Sequence, residues 1–209
     1  MLTIALPKGR LLDDVAGLLK RMGIATGSMS WGRMLSYLTR DKRHRFLILR
    51  ARDVATYVEY GGADIGITGE DILREEERDI YEPLDLRFGY CRIVVAELEA
   101  KRGGLCKKSF VRIATKYPNI TERHFSKKGI QVEIIKLYGS IELAPVVCMA
   151  DGIVDLVSTG RTLRENGLIE VETIMESTAK AIVNRASMKT KYKEISGFLQ
   201  SVRKSLQAI

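Results

Sequence analysis

Short apolar runs alternate along this chain with longer stretches of helical period, a pattern that predicts repeated strand and helix units of an α/β protein. Leu2 to Leu6 reads as a strand, Leu11 to Met22 as a helix, Phe46 to Leu49 as a strand, Asp53 to Tyr60 as a helix and Asp64 to Thr68 as a strand. A second series follows, with strands at Arg92 to Ala96, Val111 to Thr115, Val132 to Lys136 and Ile153 to Val157. Its helices fall near Ile120 to Lys128, Ile141 to Ala150 and Thr162 to Asn166. Ile169 to Ile174 and Ala181 to Asn184 lead the chain back. Ile195, Phe198, Leu199, Val202 and Leu206 then recur at helical spacing among lysines and Arg203, which predicts an amphipathic helix packed by one stripe.

One of these strands ends in candidate chemistry. Val154, Leu156 and Val157 have the character of a strand covered on both faces, and Ser158-Thr159-Gly160-Arg161-Thr162 follows with hydroxyls, a glycine and successive backbone N–H groups. With a helix starting near Arg161, its free N–H groups and positive dipole end face the same point, which suits a phosphomonoester. Asp155 fits two readings: a carboxylate holding a sugar hydroxyl or magnesium, or a capping aspartate of the turn.

Other strand exits carry charge or small residues. Lys8, Gly9 and Arg10 follow the first strand and bring two cations and a close backbone approach to where a polyphosphate would bind; helix initiation after Pro7 is the plain alternative. Arg50 follows a Leu-Ile-Leu strand, where a loop at the carboxyl edge places it over a ligand or leaves it as a surface arginine. Gly66, Thr68 and Gly69 form a small-residue exit that shapes either a cleft or a tight turn. Gly139 and Ser140 precede a helix with Glu142 in its first turn, a position serving equally for capping and for a ribose or magnesium contact. Tyr117 is either a platform for a purine or a core aromatic. Arg33, within Gly32-Arg33-Met34-Leu35, has a local pattern that fits a solvated hairpin.

Composition narrows the function classes. The 209 residues suffice for one large domain or two small lobes, and 34 basic against 26 acidic residues give a net charge of +8 that favours polyanionic ligands. Nucleic acid matches that charge, but clustered basic runs interleaved with aromatics are absent from the sequence. No apolar run approaches the roughly 20 residues of a membrane span, and the Leu2 to Leu6 run ends at Pro7 without a cleavage pattern, so the expected location is cytoplasmic. Three widely spaced cysteines predict reduced thiols, and two histidines exclude a His-rich metal site. No Ser-His-acid or Cys-His constellation offers a covalent nucleophile.

The phosphate-turn segment, preceded by Lys136-Leu-Tyr-Gly-Ser-Ile-Glu-Leu-Ala-Pro145, closely resembles the signature of the ATP phosphoribosyltransferase family, which opens histidine biosynthesis. Ala5-Leu-Pro-Lys-Gly-Arg10, Leu49-Arg-Ala-Arg-Asp-Val54, Gly61-Gly-Ala-Asp-Ile-Gly-Ile-Thr-Gly69 and Ile113-Ala-Thr-Lys-Tyr-Pro-Asn119 resemble further blocks of that family, in family order. Two positions depart from the pattern: Cys148 stands where glycine is usual, within the expected helix, and Ala55 where proline is common.

The resemblance implies two α/β lobes like those of type II periplasmic binding proteins, residues 1–88 with 179–209 forming one and 89–178 the other, with substrates in the cleft between them. It implies a magnesium-dependent transfer of the 5-phosphoribosyl group from phosphoribosyl diphosphate to N1 of ATP. Arg33 and Arg50 would neutralise the diphosphate; Asp155, Ser158, Thr159, Gly160, Arg161 and Thr162 would hold the phosphoribosyl group. ATP or diphosphate would meet Lys8, Gly9, Arg10, Gly69, Tyr117, Gly139, Ser140 and Glu142, with Mg2+ near Asp155 or Glu142. The length resembles the family's short form, which works as a homodimeric unit within a hetero-oligomer with a separate subunit like histidyl-tRNA synthetase; that subunit carries histidine inhibition. The rival expectation is a non-catalytic two-lobed protein that binds a small anion.

Overall fold

The structure, a computed structural model, describes residues 1–24 and 35–207. The chain enters through β1 (Leu2–Pro7), α1 (Arg10–Arg21), β2 (Ser36–Leu38), β3 (His44–Leu49), α2 (Ala51–Glu59), β4 (Ile65–Gly69), α3 (Glu70–Glu76) and β5 (Tyr81–Asp85). It continues through β6 (Cys91–Leu98), β7 (Phe110–Thr115), α4 (Pro118–Lys127), β8 (Gln131–Lys136), α5 (Leu143–Val146), β9 (Gly152–Val157), α6 (Arg161–Glu165) and β10 (Leu168–Ser177). It ends with β11 (Ala179–Val183), α7 (Arg185–Thr190) and α8 (Tyr192–Gln207). Two compact units result: Met1–Leu73, Glu77–Gly89 and Thr178–Ile209 form the first, Arg74–Glu76 and Tyr90–Ser177 the second.

The first unit is built on a six-stranded sheet in the order β2-β3-β1-β4-β11-β5. β1 lies parallel to both β3 and β4, in register from Leu2 opposite His44 to Pro7 opposite Leu49. Its near-continuous burial follows from cover on both faces. Leu2, Ile4 and Leu6 pack with Val15, Leu18 and Leu19 of α1 and with the predicted stripe of α8. Ala5 on the opposite face packs with Val54, Ala55 and Val58 of α2. The helices after β1 and β3 therefore cover opposite faces, and their loops diverge at the carboxyl ends of these two neighbours, which is where open α/β sheets bind ligands.

Polar bonds tie the returning C-terminal segment to this sheet. Asp64, at the start of β4, accepts from Thr3 N at 2.8 Å, Ser187 Oγ at 2.7 Å and Lys191 Nζ at 2.8 Å. Burial alone would push the Asp64 carboxyl up, but the bonds from Lys191, Ser187 and Thr3 outweigh it and hold the group below the ordinary carboxylate range. Asn184 caps α7 through Ser187 N at 2.8 Å and donates to Val58 O at 2.8 Å, closing the end of α2.

The second unit carries a five-stranded sheet in the order β10-β6-β9-β7-β8. β7 is parallel to β8 and β9, whereas β6 runs antiparallel to β9 and β10. Strand alternation divides its core: Ile153 and Val157 pack with Ile141, Ala144 and Leu163 on the α5 and α6 side, while Val154 packs with Ile120 and Phe125 of α4. Again the helices leaving neighbouring parallel strands, here β7 and β9, cover opposite faces.

The helix expected over Ile141 to Ala150 is corrected to one turn, Leu143–Val146. It stops because Cys148 adopts a left-handed backbone, φ 59°, and Cys148 N donates to Pro145 O at 3.2 Å. Cys148 is therefore a helix-terminating residue where glycine would be relaxed, not a residue inside a helix. Ala55, the other departure, is buried in α2.

Candidate functional site

At the carboxyl edge of the first sheet, β1 and β3 each run into a helix through a short exit. Lys8 N donates to Leu49 O at 2.7 Å, which locks the β1 exit against that of β3 and sets Lys8 beside Arg50 in the pairing. Both side chains are exposed, and among the described residues neither makes an ion pair or side-chain hydrogen bond. Gly9 has φ 91° with nothing within 4 Å of a built Cβ, so its backbone, not crowding, requires glycine. Gly9 and Arg50 are the N-cap residues of α1 and α2, and neither side chain caps its helix. Two helix N-termini, of 12 and 9 residues, thus begin without a side-chain cap beside the Lys8 and Arg50 cations, an arrangement suited to polyanions. Arg10, the first residue of α1, is itself engaged in a side-chain interaction.

The third exit at this edge differs. Gly66 lies inside β4, where a Cβ would meet Val58 Cγ2 at 2.7 Å and Val54 Cγ1 at 2.9 Å; its role is the close approach of α2, which corrects the cleft-shaping expectation. Thr68 is fully buried and its hydroxyl donates to Ala51 O at 3.3 Å. Gly69 is the half-buried N-cap of α3. Arg33 lies outside the described residues.

At the corresponding edge of the second sheet, β9 empties into Ser158-Thr159-Gly160. Gly160 is in the left-handed region at φ 71°, and a built Cβ would lie 3.1 Å from both Arg164 Nη1 and Glu170 Oε1, so glycine is required for conformation and for space. Among the described residues the backbone N–H groups of Thr159, Gly160 and Thr162 find no protein acceptor, and Arg161 N reaches only Thr159 Oγ1 at 3.4 Å. Ser158, Thr159, Arg161 and Thr162 are exposed. Such a run of donors without acceptors suits a phosphate's oxygens. The Arg161 guanidinium pairs along its own helix with Glu165 at 2.7 Å, so its backbone, more than its charge, faces the turn.

Asp155 sits in β9 on the α5 and α6 face, 8% exposed. Its Oδ1 lies 2.8 Å from Lys116 Nζ and accepts Leu156 N at 2.7 Å. Thr115, fully buried, donates to Val154 O at 2.7 Å and accepts Tyr117 N at 2.9 Å, fixing the β7 exit that carries Lys116. Tyr117 takes the core alternative, its ring 3% exposed and packed with Ile120 and Phe125. The exposed aromatic of the neighbouring β8 exit is Tyr138, 83% exposed with Lys136 Nζ 5.8 Å from its ring centroid.

Gly139, Ser140 and Glu142 follow Tyr138. Ser140 has φ 50°, and Glu142 is the half-buried N-cap residue of α5, not a member of its first turn. Its carboxylate makes no hydrogen bond or ion pair among the described residues. The N-terminus of α4, by contrast, is filled by Glu75, whose carboxylate accepts Asn119 N at 3.1 Å and Ile120 N at 3.0 Å. No group of three or more His, Cys, Asp or Glu residues that could hold a metal occurs among the described residues. With Asp155 engaged by Lys116 and Glu142 uncommitted, the donor set fits a magnesium ion carried by substrate phosphates with one protein carboxylate, the usual binding of that ion.

Residues 50–204 match the sequence profile of the ATP phosphoribosyltransferase family. An ATP phosphoribosyltransferase of Geobacter metallireducens is 57% identical over 206 residues, covering 97% of each chain. The ATP phosphoribosyl transferase (HisG:HisZ) complex from Thermotoga maritima contains a chain with a TM-score of 0.87 and 35% identity, each chain covered in full. The periplasmic aliphatic sulphonate binding protein of Escherichia coli, 13% identical with a TM-score of 0.62 over 98% of this chain and 72% of that one, shares the fold alone. Family profile and near-full-length identity together establish that the chain belongs to the ATP phosphoribosyltransferase family.

Proposed function

We infer that this chain transfers the 5-phosphoribosyl group of phosphoribosyl diphosphate to N1 of ATP, giving N1-(5-phosphoribosyl)-ATP and diphosphate at the opening of histidine biosynthesis. The observation that supports this reading is the β9 turn, whose backbone N–H groups at Thr159, Gly160 and Thr162 have no acceptor among the described residues and follow a buried carboxylate, in a chain of this family. The adenine N1 lone pair forms a bond to ribose C1 as the C1–O bond breaks, its electron pair leaving on diphosphate. The anomeric carbon inverts, and no side chain acts as nucleophile.

The chain's own groups position and stabilise. Thr159 to Thr162 hold the 5-phosphate through backbone N–H groups and hydroxyls, and Asp155 accepts ribose hydroxyls. Lys8, Arg50 and the uncapped starts of α1 and α2 take up charge that grows on diphosphate as it leaves, the kind of interaction that lowers a barrier instead of only binding substrate. Bound magnesium would offset diphosphate charge, with Glu142 its protein ligand. Gly69, Gly139 and Ser140 are read as backbone-lined contacts for ATP.

The Thermotoga maritima relative is found in a HisG:HisZ complex. We propose that this chain likewise works in a hetero-oligomer with a separate regulatory subunit, in the cytoplasm. Histidine should then inhibit the complex strongly and the isolated chain weakly, because an effector shifts activity only through differential affinity for two states. Isotope-resolved product analysis with ATP, labelled phosphoribosyl diphosphate and magnesium, with and without a candidate partner, tests the activity. Label in an N1-linked ATP adduct is expected; tight binding of phosphoribosyl diphosphate with no adduct under either condition would favour an anion-binding protein.

A further inference from the structure

We propose that Lys116 is a positioning residue of the phosphoribosyl half-site, fixing one oxygen of Asp155 so that the other is presented to the ribose hydroxyls. The proposal rests on the phosphoribosyl-transfer reading above and adds to it a residue that the β9 turn does not contain.

The two groups are aligned by strand parity and by a buried hydroxyl. Ala114 and Lys116 of the β7 edge point to the side that Ile153, Asp155 and Val157 occupy on β9, since Ala114, Ile153 and Val157 share one core. On either side of Lys116 the backbone is pinned: Thr115 bonds across to Val154 O, and Tyr117 N is bound back to Thr115 Oγ1. Lys116 Nζ lies 5.4 Å from the Tyr117 ring centroid, so the ring once considered for a purine braces this ammonium.

The contacts on Asp155 are asymmetric. Lys116 Nζ and Leu156 N both converge on Oδ1, while Oδ2 has no protein partner among the described residues and is not sealed from solvent. The carboxylate's side chain is 12% exposed, and Lys116, itself 30% exposed, pairs with it at Oδ1 without covering Oδ2. A carboxylate held this way accepts from adjacent sugar hydroxyls, a pair of donors that inorganic phosphate seated in the turn does not present. Lys116 thereby discriminates ribose phosphate from phosphate by acting through Asp155.

Calorimetric titration of the folded chain and its K116M, K116R, D155N and K116M/D155N variants with ribose 5-phosphate and with inorganic phosphate tests this. K116M should lose about tenfold in ribose 5-phosphate affinity while inorganic phosphate stays within about twofold, and K116R should recover most of the loss. The double variant should bind no worse than D155N alone, because one residue acts through the other. Equal losses for both ligands, additive losses in the double variant, or unchanged ribose 5-phosphate affinity in K116M would overturn the proposal. Should K116M fail to fold by thermal unfolding, K116Q carries the same comparison. Parent protein that binds phosphate but not ribose 5-phosphate would instead sink the half-site reading itself.

Discussion

The two units share a construction and differ in what they place at the same edge. Each has a central parallel strand whose own helix covers one face while the helix of a parallel neighbour covers the other, so the loops leaving the two strands diverge at its carboxyl edge. The first unit places at that edge the Lys8 and Arg50 cations and two uncapped helices; the second places there neutral donors and a carboxylate, Asp155, matched by a lysine. The difference is one of chemical task. Exposed cations suit a diphosphate whose charge rises during reaction, whereas backbone N–H groups and a lysine-paired carboxylate suit a sugar phosphate that keeps its charge throughout.

Removing the cation of the first edge should have the largest effect. Arg50→Ala is expected to lower kcat by about a hundredfold or more with a smaller rise in KM, as for an interaction that strengthens in the transition state. Steady-state kinetics decides between this and a pure KM effect, which would make Arg50 a binding residue and blur the contrast between the edges.

Next in size is the second edge. Gly160→Val puts a branched side chain at φ 71° and within 3.1 Å of Arg164 and Glu170, so the turn must distort. Affinity for phosphoribosyl diphosphate should fall by roughly tenfold to a hundredfold while ATP affinity changes little, since one or two charge-assisted hydrogen bonds are lost. Thr162→Val should show a weaker version of this selectivity. Equal weakening of both substrates would contradict the division.

Acid stability distinguishes scaffold from site. Because the folded Asp64 carboxyl sits below its ordinary range, it contributes stability that is fully present above the unfolded value of about 4 and is lost as pH falls through the lower folded value. Asp64→Asn should cost about 2 kcal/mol near neutral pH and flatten the loss between roughly pH 5 and 3. Denaturant midpoints across that range measure it; an unchanged slope would remove Asp64 as the anchor of the C-terminal return.

The smallest effect is a gain. Replacing Cys148 by glycine relieves a left-handed backbone in an exposed residue and should stabilise the second unit by up to about 1 kcal/mol, read as a raised unfolding midpoint.

How far these features could be read from the sequence follows from what sets periodicity. The buried strands and the α8 stripe were legible because cover on one or both faces writes itself as apolar runs or helical spacing. β2 was not, being a three-residue edge, nor was β5, whose Tyr-Glu-Pro-Leu-Asp sequence alternates poorly and includes a proline suited to an edge. The Ile141 to Ala150 segment looked helical because its apolar residues have the right spacing; a single positive φ at Cys148 ends it, and cysteine gives no warning of that. At the site, the glycine and hydroxyl turn was readable from residue types. Tyr117 stayed open between platform and core because a residue after a strand can turn to either face, and the packing with Ile120 and Phe125 reveals which.

The proposed assignment of diphosphate to the first edge and of the sugar phosphate to the second is tested most directly by crossing ligands with edges. Inorganic diphosphate and ribose 5-phosphate would be titrated calorimetrically into the parent, a Lys8→Ala/Arg50→Ala variant and Gly160→Val. The predicted result is a crosswise loss: the double variant loses diphosphate affinity and keeps ribose 5-phosphate, and Gly160→Val does the reverse. Parallel loss of both ligands in folded forms of both variants would contradict the account.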